Sequence, residues 1–303
     1  MKIRDFFYRG APVLSFEVFP PKREGNLEQL YGAVRELITL EPDFISVTYG
    51  AGGSTRDKTV DIASKIKNDM GVEALAHLTC VESTRQDIDE ILDELERKNI
   101  ENVLALRGDP PKDSSVFIKP ADGFGYANEL VSFIGRRLSF SIGVAGYPDG
   151  HAETPSLEID IANLKRKVDA GADFIISQLF FVNDVFYRFR DMANKVGITA
   201  PIVPGIFPVF NYSQLEKIAQ LCGKPPEIPE TFRSKLEKMS HKSDECEKYG
   251  IEFAIKQSSD LLSNSVSGLH YYCMNKSSHI KGIVPHVDLT RHTEKTVESL
   301  GRS

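Results

Sequence analysis

Apolar residues in this chain are gathered into short runs that return at intervals of roughly 30 residues, the spacing of strand and helix alternation. The runs lie near 13–19, 44–49, 73–80, 102–108, 140–147, 174–181, 202–207 and 268–275. Each is too short for a helix and lacks a helical period, so each reads as a buried strand. Between them, 26–40, 56–70, 84–98, 124–137, 156–170, 183–196, 211–221 and a long stretch over 244–264 carry helical periodicity. Strands alternating with helices imply parallel strands joined by crossover helices. Eight such units predict a (β/α)8 TIM barrel, and the missing GxGxxG after the first strand argues against an open doubly wound sheet. The stretch KPPEIPETFRSKLEKMSHK, 224–242, breaks the alternation and predicts an extra helix before the last helix and strand. Beyond about Pro285 the pattern is lost, so a single barrel domain is expected over 1–303, with its core at 13–284 and a fraying polar tail at 285–303.

The runs end in polar residues, which in a parallel barrel marks the strand ends that carry function. NVLALRGDPP stops in Arg107, Gly108 and Asp109. Glu17 is flanked by Phe16, Val18 and Phe19, so desolvation is expected to raise its pKa and suit it to acid catalysis. The alternative is an ion pair with an inward lysine or arginine. His77 is either a core histidine satisfied by the backbone or a ligand-facing one. Thr48 and Tyr49 precede GAGG, where a ligand can approach the backbone or a plain strand-to-helix loop can form. Gln178 is a primary amide in an apolar strand and needs partners at both ends. Asp160, Asn163, Arg166 and Lys167 share a helical segment whose default is a solvated face.

Composition narrows the classes. A net charge of -6 without an isolated basic cluster argues against nucleic acid. Cys80, Cys222, Cys246 and Cys273 are far apart, with no zinc spacing, and read as reduced thiols. The charged N-terminus and the lack of a long apolar span predict a cytoplasmic protein that does not enter a membrane. His77, Asp109, His151 and His270 could converge at a barrel mouth, but no HxH or HExxH spacing supports a metal site.

FEVFPPK, SVTYGAGGSTRDKT, HLTC, LALRGDPP, VAGYPDGH, DxxNLKRKVDAGAD, QLFF and PGIFPV, in this order, resemble the methylenetetrahydrofolate reductase family. The resemblance runs from Ser15 to Asn275. It implies noncovalent FAD and reduction of 5,10-methylenetetrahydrofolate to 5-methyltetrahydrofolate, with hydride passing from NADH or NADPH through flavin. By the same resemblance Glu17 is the acid that helps open the methylene bridge to the iminium cation, and Asp109 is a negative charge beside flavin and pterin. Thr48, Tyr49, Ala51, His77, Arg107, Gly108, Asp109, Tyr126, Ala127, Tyr147, His151, Asp160, Asn163, Arg166 and Lys167 match FAD-binding positions, Arg166 and Lys167 at its diphosphate. Gln178, Gln214 and Lys276 match substrate-binding positions, with Gln178 serving folate and nicotinamide in turn. Ile218 stands where some members carry an aromatic residue, and Lys276 where some carry arginine. The chain stops soon after the barrel, so the resemblance implies no regulatory domain. The alternative function is an FAD-binding subunit of a larger electron-transfer complex, and the sequence leaves open a homo-oligomer or a partner protein.

Overall fold

A computed structural model describes residues 1–21, 26–49, 56–110, 117–221 and 224–290, the side chains of 56, 57 and 219–221 excepted. Strands β1 (Val13–Val18), β2 (Phe44–Val47), β3 (Glu73–Thr79), β4 (Asn102–Leu106), β5 (Ser141–Gly146), β6 (Phe174–Leu179), β7 (Ile202–Ile206) and β8 (Gly268–Tyr272) are parallel and pair in chain order. β8 closes on β1 with His270 beside Ser15 and Tyr272 beside Glu17. The expected eight-stranded barrel is therefore formed, each strand within its expected run.

Helices α1 (Leu27–Ile38), α2 (Arg56–Ser64), α3 (Arg85–Arg97), α4 (Ala127–Ile134), α5 (Leu157–Asp169), α6 (Asn183–Lys195), α7 (Tyr212–Leu221), α8 (Glu230–Lys238), α9 (Ser243–Ser263) and α10 (Ser277–Ile283) accompany the strands. α3 shows why they form. Ile88, Ile91, Leu92 and Leu95 recur at helical spacing and are buried. At its start Thr84 and Asp87 exchange hydrogen bonds in a capping box. α8 is the expected extra helix; its Phe232 and Leu236 pack with Ile218 of α7 and Cys246 of α9 in a satellite core.

Three features depart from the sequence expectation. The helix expected over 56–70 turns into a π-helical segment at Lys65–Asp69, whose Lys67 ammonium lies 3.1 Å from Glu73 and 2.9 Å from Glu101. α10 was not expected, because seven mostly polar residues carry too little period; burial of Ile280 and Ile283 holds it in place. The end of the described chain is also packed further than expected, with Val284 and Val287 inside the main core. Residues 291–303 of the expected tail lie outside the described residues.

The barrel is closed at one end. A 3-10 turn over Ile3–Tyr8 drives Ile3 and Phe6 against Val13, Phe44, Leu75, Leu104, Phe174 and Ile176. Asn102 Oδ1 accepts from Ile3 N at 2.7 Å, and Ser141 Oγ accepts from Arg4 N at 3.2 Å. Phe174 fills this floor because Gly143 opposite lacks a side chain; a Cβ there would lie 2.6 Å from the phenyl ring and 2.9 Å from Leu104 Cδ1. Gly143→Ala is expected to lower unfolding free energy by about 2 kcal/mol through overpacking, measured by urea denaturation. With the floor apolar and plugged, polar side chains are left to the opposite end, where the strands finish.

Candidate active site

A cavity of about 990 Å³ occupies those strand ends. Its wall contains Glu17, Thr48, Tyr49, His77, Arg107, Gly108, Asp109, Tyr147, His151 and Gln178, drawn from β1 to β6 and the loops that follow them. These ten expected residues are brought together. Ala51 lies outside the described residues.

Glu17 projects from β1 between two histidines. His77 Nε2 of β3 lies 3.4 Å and His270 Nε2 of β8 lies 3.5 Å from the same Glu17 Oε2, and Ser46 of β2 donates to that oxygen at 3.4 Å. His270 is fully buried, stacks on Phe44, and has its Nδ1 2.8 Å from Ser15 Oγ. These contacts overturn the expected direction of the Glu17 pKa. Burial does raise it, as the hydrophobic flanks suggest, but the hydrogen-bonding and charge of His270 and His77 outweigh burial and hold it down at about 2. The partner of the carboxylate is thus a histidine pair, not the inward lysine or arginine considered from sequence. Neither histidine Nε2 has an aligned hydrogen bond among the described residues, although both are buried.

On the opposite wall Arg107 makes a bidentate pair with Glu153, both contacts 2.6 Å, which raises the arginine pKa further. Gly108 next to it has φ +87, and a Cβ would meet Val81 Cγ1 at 2.7 Å, so the loop hugs the end of β3 only with glycine there. Asp109 is exposed at the rim and lines the cavity. Tyr147 and His151 meet edge to face, their centroids 4.8 Å apart. Burial pushes the Tyr147 phenol to about 12, with Asp160 and Asp109 adding to it. Burial also lowers the His151 pKa, helped by Arg107.

The α5 group divides. Asp160 is buried, its pKa raised by desolvation against the pull of Lys167. Lys167 donates to Ala145 O at 2.5 Å, its ammonium lies 5.6 Å from the Tyr147 ring centroid, and burial lowers its pKa to about 8. Arg166 is exposed and bonds Asn163 Oδ1 at 3.1 Å; this half of the group matches the solvated-face alternative. Tyr126 and Ala127 stand at the start of α4, outside the cavity wall.

The substrate residues divide as well. Gln178 lines the cavity, and its Oε1 accepts from Leu179 N at 2.9 Å. Gln214 is turned to the local backbone, accepting from Phe210 N at 2.9 Å, and Lys276 is exposed before α10; neither lines the cavity. Ile218 is buried in the satellite core instead of facing the cavity. Sequence reasoning missed Ser15, Ser46 and the pairing of His270 with Glu17. The alternation along LHYY offered a weak signal for His270, but only the β1–β8 register brings it to Glu17.

Comparison with known proteins adds to this geometry. Residues 2–288 match the profile of the family described as methylenetetrahydrofolate reductase. "Methylenetetrahydrofolate reductase (NADH) 1" of Arabidopsis thaliana is 38% identical over 95% of this chain and 50% of its own length. "5,10-methylenetetrahydrofolate reductase" of Pectobacterium carotovorum is 36% identical over 92% of this chain and 93% of its own. The chain thus spans about half the length of the plant relatives and most of the bacterial one. An uncharacterized Clostridium thermocellum protein that binds two copies of 5-methyl-5,6,7,8-tetrahydrofolic acid shares the fold, with a TM-score of 0.63 at 11% identity over 94% of this chain and 97% of that one.

Proposed function

The chain belongs to the methylenetetrahydrofolate reductase family, and from that premise we propose that it reduces 5,10-methylenetetrahydrofolate to 5-methyltetrahydrofolate with FAD, taking electrons from a reduced nicotinamide. We read it as one catalytic barrel. The observation that carries the reading is the half-buried Glu17 between His77 and His270 on the wall of a cavity large enough for stacked planar ligands.

The residues present fit FAD. Arg107 supplies a guanidinium on the cavity wall for a diphosphate, Lys167 adds a cation behind the Tyr147 ring, Gly108 lets backbone approach a ligand closely, and Tyr147 and His151 supply a polar aromatic wall. FAD, when bound, supplies hydride chemistry that no side chain can perform. Lys167→Met is expected to weaken FAD binding about tenfold, the effect of losing one charge-assisted hydrogen bond, while leaving apoprotein melting nearly unchanged. A fluorescence titration and a melting curve check both parts.

The histidine pair alters the way Glu17 acts. With its pKa near 2, Glu17 is a carboxylate at neutral pH and holds no proton of its own to give. The Nε2 atoms of His77 and His270 lie 3.4 and 3.5 Å from one Glu17 oxygen, so a proton passed to the folate amine as the methylene bridge opens would move through this cluster. Ser15 fixes the far nitrogen of His270 and so orients the ring. Asp109 at the rim places negative charge where the iminium cation develops. Gln178 offers a folate or nicotinamide amide the remaining capacity of its own amide.

The first test is spectroscopic. Protein purified or reconstituted with FAD is expected to show bands near roughly 375 and 450 nm, and anaerobic addition of NADH or NADPH to bleach them. Methylenetetrahydrofolate should restore them. Protein that takes up no flavin would sink the reading.

A further inference from the structure

Thr79 ends β3 two residues beyond His77, and alternation along the strand turns both side chains into the barrel. It is 6% exposed and lines the cavity, yet its Oγ1 is buried with no hydrogen-bond partner among the described residues. A hydroxyl buried unsatisfied disfavours folding, and the position would accept valine, which has the same shape without that penalty. Local structure does not need the hydroxyl. The ladder beyond it is carried by backbone, Cys80 N donating to Leu106 O at 3.2 Å and Val81 N to Arg107 O at 3.0 Å. His77 does not serve it either, its Nε2 lying 3.4 Å from Glu17 Oε2.

The surroundings say what it would meet. Gly108 is drawn so close over the strand end that a Cβ would lie 3.1 Å from Thr79 Cβ, which brings the hydroxyl next to the loop carrying Asp109. A phosphate suits this corner poorly, with the Glu17 and Asp109 carboxylates both lining the cavity. Lys167 is enclosed elsewhere, against Ala145 O and the Tyr147 ring. A neutral or cationic ring edge fits. We infer that Thr79 is a ligand-binding residue whose hydroxyl bonds the N–H/C=O edge of a bound pyrimidine-type ring. That edge is common to the isoalloxazine of a flavin and the pterin of a folate, and a rotatable hydroxyl can donate to one atom or accept from another. The inference rests on the flavin- and folate-binding reading above and adds a residue to it.

Thr79→Val removes the hydroxyl and keeps the shape. In the full chain it is expected to leave apoprotein melting unchanged or raised, and to weaken one ligand about 5- to 30-fold, the range for one lost hydrogen bond in a closed site. A raised Kd for FAD assigns the contact to the flavin. An unchanged FAD Kd with a raised KM for methylenetetrahydrofolate assigns it to the pterin. Thr79→Ser should keep both within about twofold of wild type, since the hydroxyl is retained. If Thr79→Val binds FAD and folate as wild type does, the inference is wrong. Should the valine variant not fold, Thr79→Ala is read by the same two titrations against Thr79→Ser. A wild-type protein that takes up no flavin overturns the underlying reading instead, and the two failures are told apart before any variant is made.

Discussion

Glu17→Gln is expected to leave FAD binding and flavin reduction by the nicotinamide near wild type while slowing folate reduction by about 10² or more, the usual size of a lost proton-transfer group. The substitution keeps the side-chain shape and the Ser46 contact but abolishes the carboxylate that His77 and His270 share. A glutamine cannot pass a proton to a substrate amine. Single-turnover stopped flow separates the halves, and equal losses in both would show Glu17 to be structural. The same residue links folding to pH. Its folded pKa of about 2 lies below the ordinary 4.5, so its stabilisation is full above pH 4.5 and lost as pH falls toward 2. The shift corresponds to an upper bound of about 3 kcal/mol. Acid unfolding of Glu17→Gln should therefore be flatter than wild type across that window.

The barrel was legible because each strand is a brief apolar run cut off by polar residues, and because a parallel sheet buried on both faces leaves this pattern in the sequence. Most of the candidate site was legible from the same runs: Arg107, Asp109 and Tyr147 end or directly follow them, Glu17, His77 and Gln178 are polar residues set within them, and all six line the cavity. Local sequence did not give the sign of the Glu17 shift. Phe16, Val18 and Phe19 report burial, whereas His77 and His270 arrive from strands 60 and 253 residues away in sequence, by the differences 77 − 17 and 270 − 17. Their approach depends on barrel closure. Gln214 and Lys276 were placed by resemblance alone, and in the structure their side chains are occupied locally or exposed. A motif fixes the residue type and its neighbourhood, but the direction of a side chain at a helix start follows from packing. Thr79 was passed over because a threonine in a strand is ordinary; only the missing partner marks it.

Asp109→Asn should separate charge from hydrogen bonding. From sequence, Asp109 could have been a partner of Arg107, but that guanidinium is committed to Glu153 by two contacts of 2.6 Å, so Asp109 keeps its charge uncompensated by its neighbour. The carboxylate is exposed at the cavity rim, and its field already contributes to raising the Tyr147 pKa. In open water such a charge is heavily screened, and it gains strength when planar ligands cover the rim and exclude solvent. An iminium cation forming beneath that cover is stabilised by the carboxylate, so the amide is expected to slow folate reduction by about 10- to 10³-fold, the cost of one preorganised electrostatic partner. The effect on the cofactor has the opposite sign. Reduced flavin tends toward an anion, which a nearby carboxylate disfavours, so Asp109→Asn should raise the flavin midpoint potential and ease its reduction by NADH. A purely steric role predicts neither change, and a hydrogen-bonding role predicts loss in both half-reactions. Spectroelectrochemical titration with single-turnover rates for each half-reaction distinguishes the three, and an unchanged potential with an unchanged folate rate would remove charge from the account of this residue.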